Sequence, residues 1–267
     1  MIDWWWAYLA LGGFIGFLAG LLGIGGGFTM VPILALLFSA LDFPTDHVLH
    51  LALGTGMATI LFTSASSVRS HHRHGAVNWR IVTGMAPGIM LGTFAGALVV
   101  GYIDVKKLTV LFTLFVYYAA TRMLLDRKPQ PTARLPSKAG LWLAGGVIGA
   151  LSSFAAIGGA VLTVPFLVKR NVTMHHAIAS AAAIGWPLAL AGAIGFVVSG
   201  YGRPGLPEHS IGYVYLPAVF WIAIASVLMA PAGAAVAHRT SGTMLRKIFA
   251  VLLYGLATKM LLSFLGH

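Results

Sequence analysis

The sequence predicts an all-α integral membrane protein made of two homologous four-segment repeats. Three observations carry that expectation. Of the 267 residues, 58% are hydrophobic and 9% are charged, with a mean hydropathy of +0.89. A soluble domain of this length has no interior able to hide so much apolar surface. The apolar residues also fall in eight long runs that are apolar on every side, not in the alternating pattern of barrel strands. Finally, Ile24-Gly25-Gly26-Gly27-Phe28-Thr29-Met30-Val31-Pro32 is nearly repeated as Ile157-Gly158-Gly159-Ala160-Val161-Leu162-Thr163-Val164-Pro165, 133 positions later. The same offset, about half the chain, aligns Gly12 with Gly145, Gly16 with Gly149 and Leu34 with Leu167 without a gap.

In chain order, Trp4-Trp5-Trp6 suits an interfacial aromatic anchor. The amino terminus lacks a positive region and its apolar run is too long for a secretory signal, so no cleavage is expected. The runs then cover roughly 7–39, 48–68, 81–101, 108–125, 139–168, 177–199, 212–236 and 248–265. The first repeat is expected over 1–126, a basic cytoplasmic linker carrying Pro129, Pro131 and Pro136 over 127–138, and the second repeat over 139–267. Trp186-Pro187 and Pro217 read as kinks inside spanning helices.

The first run of each repeat has an unusual length. One span needs about 20 apolar residues, and two spans with a turn need about 40. A run of about 30 residues with glycines in its middle fits a re-entrant hairpin, or else one long kinked helix that crosses. The basic loops separate these readings. With 69–80 and 122–138 taken as cytoplasmic, eight crossing runs place ten of the 17 Lys and Arg inside. Two re-entrant runs invert the second half and place 13 of the 17 inside, leaving Lys106, Lys107, Arg203 and Lys259 outside. The positive-inside bias therefore favours inverted repeats, each a Gly-broken segment plus three transmembrane helices. Glycine and proline breaks at membrane depth in both halves point to a transporter binding site, because hydrocarbon tolerates freed backbone groups only beside protein, a cavity or a ligand.

Composition excludes several other chemistries. With no cysteine, there is no disulfide, thiolate metal site or cysteine nucleophile. A formal charge of +11 is placed in basic loops facing anionic lipid, so no nucleic-acid partner is expected. His71, His72 and His74 share one loop with Arg69 and Arg73, which reads as a solvated basic loop and not a metal site. Asp3, Asp42, Asp46, Asp104, Asp126 and Glu208 all fall at segment ends or in loops, so no carboxylate relay crosses a span. His50 and the pair His175-His176, near the start of the second long helix of each half, are candidates for a titrating role. The chain has no HExxH and no paired carboxylates within a span, so no enzyme activity and no cofactor are expected.

The glycine segments ending in Val31-Pro32 and Val164-Pro165 resemble the two signature repeats of the TauE/SafE family, the sulfite exporter TauE/SafE proteins of the wider sulfonate-uptake permease group. His74-Gly75-Ala76-Val77-Asn78-Trp79-Arg80 with Pro87-Gly88 is similar to the family's first-half pattern, and Ser210-Ile211-Gly212-Tyr213-Val214 with Pro231-Ala232-Gly233 to its second-half pattern. The resemblance covers the whole chain in order. It implies a multi-pass permease of a bacterial or archaeal inner membrane, whose partner is a small sulfur-containing anion such as sulfite or an organosulfonate. One departure is Ala160, which stands where the first copy has Gly27.

For such an anion, backbone N–H groups at a helix N-terminus supply partial positive charge without a full cation. Gly25, Gly26 and Gly27 in the first copy, and Gly158, Gly159 and Ala160 in the second, are the expected substrate-binding turns. Thr29 and Thr163 add hydroxyls, and Thr55 and Ser180 open the following helices as further donors. Ser152 and Ser153 are comparable candidates. Close helix packing is the competing role for all of these small residues, and is the expected role of Gly12, Gly13, Gly16, Gly145, Gly146 and Gly149. An anion channel lined by the same turns is the alternative to a carrier, ahead of an intramembrane enzyme or a non-transporting scaffold.

Overall fold

A computed structural model describes residues 4–22, 27–73, 75–125, 134–156, 159–237 and 242–265. The chain is helical almost throughout. The long apolar runs become α1 (Trp5–Leu22), α2 (Gly27–Ala40), α3 (Val48–Arg73), α4 (Trp79–Val100), α5 (Val105–Leu124), α6 (Lys138–Ser153), α7 (Ala160–Lys169), α8 (Met174–Gly200), α9 (Leu216–Ala237) and α10 (Gly242–Leu265). Between α8 and α9 lies a short antiparallel pair, β1 (Ser210–Ile211) with β2 (Val214–Tyr215), turned at Gly212 with φ +54°. Six helices, α3, α4, α5, α8, α9 and α10, are long and apolar enough to cross a membrane.

The first and fifth runs are each split. Run one becomes α1 and α2, and run five becomes α6 and α7. At about 1.5 Å per residue, the 14 residues of α2 and the 10 of α7 reach about 21 and 15 Å, short of the roughly 30 Å hydrocarbon core. Local chemistry sets several boundaries. The Asn78 side chain caps α4 by accepting from Ile81 N, Asp104 caps α5 by accepting from Lys106 N at 2.9 Å, and Ser137 caps α6 by accepting from Gly140 N at 3.3 Å. Pro217 is the second residue of α9, where a proline forfeits no helical hydrogen bond, so it starts that helix instead of kinking it. Pro187 lies inside α8, which continues to Gly200.

Glycines decide which helices touch. A Cβ added at Gly12 would lie 2.6 Å from Ile222 O, and one at Gly16 would lie 2.2 Å from Ser226 O. Thus α1 lies along α9 in the same direction, backbone against backbone. On the other side, Gly88 would meet Trp142 O at 1.8 Å and Gly92 would meet Gly146 O at 2.0 Å, while Gly145 and Gly149 face Met85 O and Ile89 O at 2.5 Å. So α4 and α6 also run in the same direction, along the four-residue ladder Gly84, Gly88, Gly92 and Gly96. The packing role expected for Gly12, Gly16, Gly145 and Gly149 is what these contacts describe.

The remaining pairings are antiparallel or inner. Gly54 approaches Phe196, Gly192 approaches Met57 and Gly185 approaches Ser64, so α3 and α8 cross the centre in opposite directions. Tyr117 pairs with Thr258 at 2.6 Å and Thr121 pairs with Tyr254, which sets α5 antiparallel to α10. Within their most apolar stretches 72% of α3 and 61% of α8 is buried, against 28% of α10, so α3 and α8 form the inner pair. Leu91, Leu114, Leu228, Val251 and Leu262 project outward, as lipid-facing side chains would.

Gly88→Val should disrupt the α4–α6 contact, because its Cβ has no room against Trp142 O, while Gly146→Ala meets nothing nearer than 3.7 Å. Thermal unfolding in detergent should show Gly88→Val less stable by about 1–3 kcal/mol or unable to fold. Gly146→Ala should match the parent, and equal stability of all three proteins would contradict this packing.

Candidate functional site

The residues that flank the two breaks meet between α3 and α8. A Cβ added at Gly27, the first residue of α2, would lie 2.3 Å from Ala156 O and 3.1 Å from Ile60 Cδ1. Ala156 directly precedes the second break and has φ +46°, a left-handed conformation that non-glycine residues rarely adopt. Gly56 on α3 closes the contact, with Val31, Met30 and Ala156 all within 3.6 Å of where its Cβ would be. On the other side, Gly159, with φ +51°, faces Ala181 O and Gly185 N of α8. The broken segments thus touch each other inside protein, between the inner helices α3 and α8. A strained residue held at such a junction marks a site that the surrounding structure over-determines.

The chemistry available at the junction is neutral. Helix α7 begins at Ala160, Gly159 offers no side-chain cap, and Gly159 O accepts from Thr163 N at 2.9 Å. Any helix leaves its first N–H groups without intrahelical partners, and α7 directs this partial positive charge at the junction. Thr163, one turn in, is fully buried, and its hydroxyl has no hydrogen-bond partner among the described residues. Thr29, in the first turn of α2, is equally buried.

Other expected residues lie elsewhere in this arrangement. Gly25, Gly26 and Gly158 fall outside the described residues, as do His74 and most of the 127–138 linker. Thr55 Oγ1 accepts from Tyr215 N at 3.0 Å, tying α3 to the strand that leads into α9. Ser180 Oγ accepts from Asn78 N at 3.0 Å, tying α8 to the residue that caps α4. These two hydroxyls form matched clasps, each joining an inner helix to the start of a spanning helix of the other half. Ser153 Oγ donates to Ala150 O at 2.7 Å, whereas the Ser152 hydroxyl is buried without a partner among the described residues.

Thr93 was not singled out from the sequence. Its hydroxyl is buried and without a partner among the described residues, and it packs where Gly149 and Gly192 make room on α6 and α8. Its available signal is one hydroxyl between Gly92 and Gly96 in an otherwise apolar ladder.

The family description "Sulfite exporter TauE/SafE" matches residues 8–260, nearly the whole chain. The chain belongs to the TauE/SafE family. A probable membrane transporter protein of Haemophilus influenzae is 40% identical over 256 residues, covering 96% of this chain and 97% of that protein. A probable membrane transporter protein of Methanocaldococcus jannaschii is 27% identical and covers 95% and 94% of the two chains. A third such protein, from Bacillus subtilis, is 28% identical over 70% of this chain and 76% of its own length. No solved structure matches the chain significantly. TauE/SafE membership and a bundle with six membrane-length helices agree with the membrane-transporter reading of the sequence.

Thr55→Val should leave the buried Tyr215 N–H without an acceptor and lower stability by about 1–3 kcal/mol. Thr163→Val removes a hydroxyl that makes no hydrogen bond among the described residues, so its melting temperature in detergent should equal or exceed the parent's. A loss of stability in Thr163→Val as large as that in Thr55→Val would show that Thr163 has a structural partner.

Proposed function

We propose that this TauE/SafE protein is a secondary transporter that carries a small sulfur-containing anion, such as sulfite or an organosulfonate, across the inner membrane. The observation that carries this reading is the meeting of two helix breaks inside the bundle. Helix-end N–H groups and a spare buried hydroxyl converge there without a carboxylate that would repel an anion. Hydrogen-bond donors without full charge can replace hydration of an oxyanion and still release it. The binding residues in this reading are Gly25, Gly26, Gly27, Thr29, Gly158, Gly159, Ala160 and Thr163. Thr55 and Ser180 are assigned to holding the inner helices at the same depth.

The architecture proposed for transport is a pair of inverted repeats, 1–126 and 139–267, joined by the 127–138 linker. Each repeat contributes one re-entrant hairpin and three spans. Helix directions support the inversion: α3 opposes α8 and α5 opposes α10, while α1 and α6 each lie along a helix of the other half. Re-entry is supported at both hairpins. Tyr8 near the start of α1 and Phe38 near the end of α2 both pack on Tyr215, with ring centroids 6.2 and 5.8 Å away. At the opposite end of the bundle, Arg170 after α7 reaches Arg134 O before α6 at 3.5 Å. Two tips entering from opposite faces would let rocking of the halves expose the junction to each side in turn.

The cysteine-free sequence makes topology directly testable. Single cysteines at Thr45 and Asn171 should be labelled by an impermeant thiol reagent from opposite faces of the membrane. Labelling of both from one face would refute the inverted arrangement.

For the site, Thr163→Val in proteoliposomes should raise the KM for sulfite about tenfold, the loss of roughly one hydrogen bond to a charged group, with folding retained. Unchanged flux kinetics in that variant and in Gly159→Leu would rule out this junction as the binding site. Saturable counterflow is expected of a carrier, and a large unitary conductance would instead establish a channel.

A further inference from the structure

Away from the central junction, a cleft of about 260 Å³ opens where α3 begins, α4 ends and the α8–α9 connection passes. Its polar lining includes Asp46, His47, His50, Asp104, Arg203 and Tyr213. His50, the third residue of α3, is 3% exposed, a buried imidazole in this wall beside the buried Tyr213. Its Nε2 lies 3.1 Å from Val100 O and 3.0 Å from Ile103 O. Two carbonyl oxygens can only accept, so Nε2 carries the hydrogen and donates to both. In the neutral ring the lone pair therefore sits on Nδ1, and Nδ1 has no partner among the described residues. The imidazole is thus oriented with its basic nitrogen spare.

Burial and the neighbouring His47 oppose a charge on that ring, whereas the carbonyl oxygens that hold it favour one. Val100 is the last residue of α4, so the ring is held by the negative end of a helix. Tyr213 stacks on His50 with centroids 4.9 Å apart and an interplanar angle of 25°, presenting a π face. Burial pushes the Tyr213 phenol up from its ordinary value, with Arg203 opposing part of the shift, so it remains a neutral hydroxyl. Every element packed around His50 adds a charged or titratable group. The α2–α3 turn brings Asp46 and His47, the α4–α5 turn brings Tyr102 and Asp104, and the α8–α9 connection brings Arg203 and Tyr213. Arg203 is held over the Tyr102 ring at 5.0 Å, and Asp104 is engaged in capping α5.

We propose that His50 Nδ1 is a proton-binding site through which proton movement is coupled to transport. When the site opens, a proton passes from water to the Nδ1 lone pair, converting imidazole to imidazolium, and it returns to water by the same opening. The route to the junction is short and physical. Gly54, one turn along α3, has no room for a Cβ because Tyr213 O would lie 2.3 Å away, and Thr55 holds Tyr215 N. A charge change at His50 therefore acts on the β1–β2 turn that grips α3 and leads into α9. Gly56, on the next residue of α3, lies against the junction itself. His176 holds the same third position in α8, but it is exposed and its Nδ1 is taken up by Ala76 O at 2.7 Å, so it lacks the spare buried nitrogen.

This inference rests on the transport reading above, and two measurements keep their failures apart. In proteoliposomes of the full chain, with sulfite as the probe, wild type should show counterflow without a pH gradient and several-fold faster uptake with one. His50→Gln should keep the counterflow and lose the acceleration. Acceleration equal to wild type in His50→Gln, or a wild type indifferent to the gradient, overturns the coupling. Absent wild-type counterflow overturns the transport reading instead. The proton site is then judged by ¹⁵N-histidine NMR of the wild-type protein in nanodiscs. Leu49-His50 is the sole Leu-His pair in the chain, so paired carbonyl and amide labelling assigns it without a variant. The expected result is an Nε2–H tautomer whose Nδ1 gains a proton as pH falls. A neutral Nδ1–H tautomer, or no protonation while the protein stays folded, overturns the site.

Discussion

The structure depends on a solvation constraint: a helix broken inside hydrocarbon exposes N–H and C=O groups that lipid cannot satisfy. One break alone would be costly. Here the two breaks lie against each other, Gly27 on the Ala156 carbonyl, with α3 and α8 walling them off from lipid. Each half thus supplies part of the polar surroundings that the other half's break requires. The same constraint explains why α3 and α8 are the most buried spans. They wall the residues that flank both breaks.

That arrangement in turn demands close contact between the halves. Helix α1 is carried by α9, and α6 by α4, so each broken segment leans on a helix of the opposite half. Without a hydrophobic force to drive helices together in lipid, the contact must come from packing and short backbone approach. The ladder Gly84, Gly88, Gly92 and Gly96, facing Gly145 and Gly149, supplies it. Glycine here serves proximity, whereas Gly159 and Gly212 serve positive φ, and the two uses coexist in one composition.

Much of this was legible in the sequence. Eight apolar runs, the break in the first and fifth, and the paired Gly-Pro segments all appear as helices or helix boundaries, because burial in lipid is read from composition and breaks from glycine. What was hidden is tertiary. No local pattern says that Gly12 meets Ile222 or that Gly88 meets Trp142. The strands Ser210–Ile211 and Val214–Tyr215 are too short for a period-two pattern, although Gly212 marks their turn. Pro217 read as a kink because proline looks alike at a helix start and a helix centre until the boundary is known. Thr55 and Ser180 read as donors to a ligand, since small polar residues in an apolar helix need a partner. The sequence cannot say that this partner is a backbone N–H from the other half.

These clasps bear on how a binding site can move without coming apart. A hydroxyl that accepts one N–H fixes a single point, and each inner helix has one such point near its beginning. Beyond it, α3 and α8 contact the broken segments through glycine, alanine and isoleucine, residues along which surfaces slide without leaving unpaired polar side-chain atoms. Among the described residues, the buried hydroxyls without a partner are Tyr8 on α1, Thr93 on α4, Thr113 on α5, Ser152 on α6, Thr163 on α7 and Ser210 on β1, and none lies on α3 or α8. Fixed polar contacts therefore sit on the inner pair, while Ser152 and Thr163, next to the second break, are among the hydroxyls left uncommitted. An unmade buried hydrogen bond is costly to folding, and at Thr163, beside the junction, the anion proposed above would offset that cost.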